Sequence, residues 1–124
     1  MIEPSSEVEG YVRRSDEYWR QAQTLLAQGE VEKASELAWG SVVERVKALA
    51  AAKLGAELRS HREVRDFLKR IANQIPDQDL YRSYREAESL HINFYESFFD
   101  ADEVRMSFAV IEGLLIRLDA YLKG

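Results

Sequence analysis

Residues 77–100, DQDLYRSYREAESLHINFYESFFD, decide how the rest of the chain is read. Taken with a period near 3.6 residues, Leu80, Tyr84, Ala87, His91, Phe94 and Phe98 share one face, which predicts an amphipathic helix carrying a histidine on its apolar stripe. An imidazole on such a face ordinarily holds one hydrogen bond and fills space. Here an arginine, Arg85, lies six positions before it. On one continuous helix, six steps of about 100° leave Arg85 and His91 about 120° apart and about 9 Å apart along the axis, too far for a compact pair within one chain. Two copies packed across a two-fold axis present each residue twice and can gather both kinds at one cleft.

Working outward, the flanking segments read as four more helices. The first starts at Pro4 to Ser6, since proline tolerates a first turn and serine caps well, and Gly29 closes it after the apolar series Val8, Tyr11, Val12, Tyr18, Trp19, Ala22, Leu25 and Leu26. Met1 to Glu3 are expected to fray. A very short turn makes the second helix antiparallel to the first; Val31, Ala34, Ala38, Val42, Val46 and Leu49 draw its buried line and Gly55 stops it. Gly40 in its middle costs about 1 kcal/mol relative to alanine, which predicts a close approach there, to seat Trp39 or a partner chain. Ser60 and Glu63 form an S-x-x-E capping signal ahead of Val64, Phe67, Leu68 and Ile71, so a third helix covers about 61–74 and Pro76 breaks the path. His61 in its first turn reads as solvated, and its neighbours Arg59, Arg62 and Arg65 make it a second-choice RNA contact. Asp77 or Gln78 begins the fourth helix. Asp100 with Glu103 caps a fifth, whose face of Val104, Phe108, Ile111, Leu115, Leu118 and Leu122, widened by Val110, Leu114 and Tyr121, suits a central helix or one that also meets a second subunit. The expected fold is all-α: an antiparallel bundle of about five helices in one domain over residues 1–124.

Composition agrees with helix: the chain is 46% apolar with only two prolines and no cysteine, so disulfides, thiolate metal sites and thiol nucleophiles are excluded. No apolar run approaches the roughly 20 residues that span a bilayer, and the first residues lack the regions of a signal peptide, so no membrane contact and a cytoplasmic location are expected. The net charge of −5 argues against indiscriminate nucleic-acid coating. The charge is uneven: residues 44–70 carry eight Lys or Arg against four Asp or Glu, and residues 71–103 two against eight. The basic flank suits a phosphate backbone if it is more than a solvated face.

Arg85 and His91 fit the R-x(4 to 6)-H pattern of the HEPN superfamily, and LHINFYE, residues 90–96, resembles the corresponding segment of the archaeal PaREP-type branch of that superfamily. The resemblance, supported by the five-helix order over nearly the whole chain, implies a helical homodimer that in many branches cuts RNA without a metal or other cofactor. It makes His91 the acid or base and Arg85 the phosphate clamp. Arg82 and Tyr84 become strand contacts, and Asn93 and Tyr95 orient the ring or the substrate. The sequence departs from the pattern at Glu86, where many active members have a small polar residue, and at Asn93, where branches modified by a nucleotidyltransferase have a tyrosine.

Those departures keep a second function in view, a binding module or scaffold without catalysis that pairs with a nucleotidyltransferase-type partner, as a toxin does with its neutralising protein. A third rests on Glu88 and His91, an E-x-x-H step of the kind that di-metal carboxylate bundles use in pairs; one chain supplies one such step, so a dimer would have to supply the other.

Overall fold

Two glycines and three polar caps set most of the helix ends. Gly29 (φ 82°) lets the first helix close with Glu30 N–H donating to Leu25 O at 2.9 Å and its own N–H to Leu26 O at 3.0 Å. Gly55 (φ 62°) closes the second in the same left-handed region. Ser60 accepts the Glu63 N–H, Asp77 the Leu80 N–H, and Asp100 the Glu103 N–H, the last with the Glu103 carboxylate returning to the Asp100 N–H. Ser60 forms only half of the expected reciprocal cap, because the Glu63 carboxylate takes the Arg59 N–H at 2.6 Å instead.

The computed structural model describes residues 4–75 and 77–124, and every regular element among them is a helix: α1 (Pro4–Ala27), α2 (Val31–Leu54), α3 (His61–Gln74), α4 (Gln78–Glu96) and α5 (Ala101–Lys123). The expected fraying of Met1 to Glu3 and the break at Pro76 lie outside the described residues.

α1 and α2 run antiparallel. Ser15 Oγ donates to Ser41 O at 2.7 Å and Ser41 Oγ returns to Ser15 O at 2.8 Å, while Arg14 pairs with Glu44 one turn on. Gly40 faces Tyr18: a Cβ there would sit 3.3 Å from Tyr18 Cδ2, so the glycine is spent on the α1–α2 approach and not on seating Trp39. α4 is antiparallel to α2, with Glu36 against His91 and Ser35 against Asn93, and antiparallel to α5, with Glu86 against Ser107 and Asp77 against Tyr121.

The helix at the centre is α2, which packs against all four others. Its buried residues include Ala34, Ser35, Ala38, Ser41, Ala48 and Ala50 around much of its circumference, small side chains that let several neighbours approach at once. α5, whose face reads as that of a central helix or of one that also meets a second subunit, is not the central one and leaves Met106, Val110 and Ile116 exposed.

The apolar stripe of α4 holds for its first half only. Leu80, Tyr84 and Ala87 are fully buried and His91 is part-buried, but Phe94 and Phe98 are exposed. For Phe98 the cause is an early stop: Ser97 adopts the left-handed conformation (φ 54°), and the buried Asn93 side chain accepts the Phe99 N–H at 2.7 Å, turning the chain toward α5 before Phe98 can join the stripe.

A histidine pair on a tryptophan floor forms the candidate functional site

The only two histidines of the chain meet. His61 stands at the start of α3 and His91 in the last third of α4, and both rest on Trp39 of α2, whose ring is almost completely buried. Ring centroids are 5.0 Å from Trp39 to His61 and 5.5 Å from Trp39 to His91, the latter stacked at 29°. The imidazoles lie edge to face at 5.7 Å. Trp39 also leans on Tyr84 at 5.6 Å, so the floor is packed from below by α4.

Each ring is oriented by a different carboxylate. His61 Nε2 lies 2.7 Å from Glu88 Oε2, and His91 Nδ1 lies 2.8 Å from Glu36 Oε1. A carboxylate only accepts, so these nitrogens act as the N–H donors. Glu88 also receives Arg65 Nη2 on its other oxygen at 2.8 Å. Burial opposes its ionisation, but the hydrogen bonds from Arg65 and His61 outweigh that, and the carboxyl is held below its usual range. The same contact raises the Arg65 guanidinium, first through the hydrogen bond to Glu88 and then through its charge.

A folded carboxyl held low binds fewer protons than its unfolded counterpart. Its stabilisation is therefore present above about pH 4, where the unfolded group is ionised, and is lost as pH falls through the folded value. Glu88→Gln is expected to lower Tm at neutral pH, with the two Tm values converging as pH falls from about 6 to about 3. Thermal melts across that range check it; a gap that stays constant into acid would show that Glu88 contributes only by packing.

Two shallow hollows flank the pair. One of about 230 Å³ is lined by Trp39, Lys47, Arg59, Ser60 and both histidines. The other, about 270 Å³, lies between His61, Arg62, Arg65 and Glu88. Four cations thus border the imidazoles although the chain as a whole is acidic. A larger hollow along α1, about 610 Å³, is lined by that one helix with mixed charges and holds neither histidine.

The other residues singled out in the sequence are dispersed. Arg85 is exposed on the outer face of α4, and Arg82, also exposed, lies 3.6 Å from Asp79. Tyr84 is fully buried beneath Trp39, and its hydroxyl has no hydrogen-bond partner among the described residues; burial and then the Glu88 charge push its pKa up. It presents no surface to a strand. Asn93 is buried as the α4 stop, donating to Ser35 Oγ at 3.0 Å. The Tyr95 side chain lies outside what is described. Glu86 accepts from Ser107 Oγ at 2.6 Å.

Glu88 and His91, the E-x-x-H step, are engaged in opposite directions, Glu88 with His61 and Arg65 and His91 with Glu36. No group of three metal-ligating side chains occurs among the described residues. His61 is exposed, as expected of a solvated residue, but it is not isolated: its ring meets Trp39, His91 and Glu88. Trp39, Glu36 and Lys47 carry no local motif that marks them, because what joins them to His91 is the packing of α2 on α4.

The family model of the archaeal PaREP1/PaREP8 family matches residues 10–115. The chain belongs to that family. No curated protein and no solved structure matches this PaREP1/PaREP8 protein. The matched span takes in α2, α3 and α4 entire, and with them every residue of the histidine pair. Among the described residues of this family member, no helix is long and apolar enough to cross a membrane.

Proposed function

We propose that this protein is a HEPN-like helical homodimer that cleaves single-stranded RNA without a metal ion, with His91 in the acid or base role. The supporting observation is the setting of His91: part-exposed, stacked on Trp39, held at Nδ1 by Glu36, and opening onto a hollow with Lys47 and Arg59. An imidazole titrates near neutral pH and can carry the proton transfers of transesterification, and neighbouring cations favour the polyanion and its pentavalent phosphorus. Arg85 lies on the outward face of α4 with Arg82, so in this reading it serves as phosphate clamp from the second subunit, with α4 lining the cleft between subunits.

Single-stranded RNA incubated with the protein in chelator should yield 2′,3′-cyclic phosphate ends, and His91→Ala should lower the rate by at least about 100-fold. An all-deoxy strand should stay intact, since it lacks the nucleophile. Cleavage that survives His91→Ala, or that needs added divalent metal, would overturn this reading.

One observation favours a second reading. Glu86 places a carboxylate directly after Arg85, where it opposes a phosphate, and its bond to Ser107 ties it to α5. A non-catalytic module working with a nucleotidyltransferase-type partner, in a toxin and antitoxin setting, needs no phosphate at Arg85. It predicts no cleavage at any protein concentration.

A further inference from the structure

We infer that His61 is a second catalytic residue, and that His61 and His91 together make a two-imidazole proton-transfer site complete within one subunit. The inference rests on the RNA-cleavage reading above and goes beyond it, because that reading asks for one histidine per subunit and an arginine from across a dimer.

Transesterification moves two protons. The 2′-hydroxyl loses one as its oxygen attacks phosphorus, and the 5′-oxygen gains one as the P–O5′ bond breaks. The products are a 2′,3′-cyclic phosphate and a 5′-hydroxyl. A lone imidazole must take the first proton and deliver it to the opposite side of the phosphorus. Two imidazoles in opposite protonation states perform both transfers in one pass and return to their starting forms through solvent.

The geometry supplies such a pair. The ring centroids are 5.7 Å apart and the rings stand edge to face, so both imidazoles are within reach of one phosphate group. Both are seated on one rigid indole, with His61 Nε2 against Glu88 and His91 Nδ1 against Glu36. For His61 this turns Nδ1 into the atom available for proton transfer. The charged groups around the rings come from every neighbouring element: Glu36 and Lys47 from α2, Arg59 from the loop before α3, Arg62 and Arg65 from α3, and Glu88 from α4. Cations border both hollows where a phosphate would enter; Glu88 lines one of them too, with its carboxylate engaged by His61 and Arg65.

The test uses the full chain, a ribo-oligonucleotide in chelator, and the variants His61→Gln and His91→Gln. Wild type should show a bell-shaped dependence of kcat/KM on pH, and each variant should lose about 100-fold or more in kcat together with one limb of the bell. On a substrate whose 5′-bridging oxygen is replaced by sulfur, a leaving group that needs no proton, one of the two variants and not the other should regain most of its rate. Unchanged circular dichroism and a melting transition well above the assay temperature in His61→Gln show that the loss is not unfolding.

A single-limbed wild-type profile overturns the inference without any variant being made. So does sulfur substitution that rescues neither variant. If His61→Gln cuts within about threefold of wild type while His91→Gln is dead, His61 is structural and the one-histidine reading stands alone. If wild type does not cut at all, both fall.

Discussion

Trp39→Ala should cost about 3–5 kcal/mol, the usual range for removing a large aromatic from a packed interior. Trp39 is 6% exposed and is the meeting point of three helices: α2 carries it, α4 supplies Tyr84 and His91, and α3 supplies His61. None of these neighbours can collapse into the space, because each is the side chain of a helix anchored elsewhere. The loss corresponds to a fall in Tm of roughly 10 °C or more for a chain of this size. Urea unfolding should show the midpoint moving with the m-value unchanged. The same substitution should separate the two histidines, so any cleavage should fall further than stability alone explains. Trp39→Phe should recover most of the packing. A cost below about 1 kcal/mol for the alanine variant would mean that the tryptophan is not the floor described here.

Arg45→Ala should cost about 3 kcal/mol, the lower end of what breaking a buried ion pair does. Arg45 is 3% exposed, its Nε donates to Ser15 Oγ at 3.0 Å, and its two terminal nitrogens go to Asp16 of α1 and Asp119 of α5. One planar guanidinium therefore joins three helices. The value sits at the lower end because Asp16 is exposed and Asp119 part-exposed, so both regain water when the cation leaves. Arg45→Lys should lose nearly as much, since a single ammonium on a flexible stem cannot present donors in the directions of three acceptors. A double-mutant cycle with Asp119→Asn measures the coupling, which should change little between low and high salt because the arginine is shielded. Coupling near zero, or coupling that vanishes in salt, would place the pair on the surface in energetic terms.

The two effects differ in how far the sequence announces them. A tryptophan in a helical apolar series reads as core, whereas an arginine at position 45, on a helix with Glu44 and Lys47 around it, reads as surface. Burial of Arg45 depends on Asp119, which lies 74 positions away.

The candidate site divides in the same way. LHINFYE points to His91 and to the family, and the family model covers it. Arg85 and His91 do stand on one helix. The partners that surround His91 are not its sequence neighbours, however: Glu36 is 55 positions distant, and His61 lies on another helix. A local pattern reports which face a residue occupies, and it carries no information about what that face meets.

From the residues alone came the number of helices and, the early end of α4 apart, their ends and caps, since Gly29, Gly55, Ser60, Asp77 and Asp100 act through bonds that close within a few positions of themselves. Tertiary packing alone decided that α2 and not α5 is central, that Phe94 and Phe98 stay outside, and that the two imidazoles share one indole. Helix ends are set by backbone groups that must be satisfied locally. The choice of neighbours is made by small residues, buried ions and aromatic shapes that gain their energy only when distant helices are already in contact.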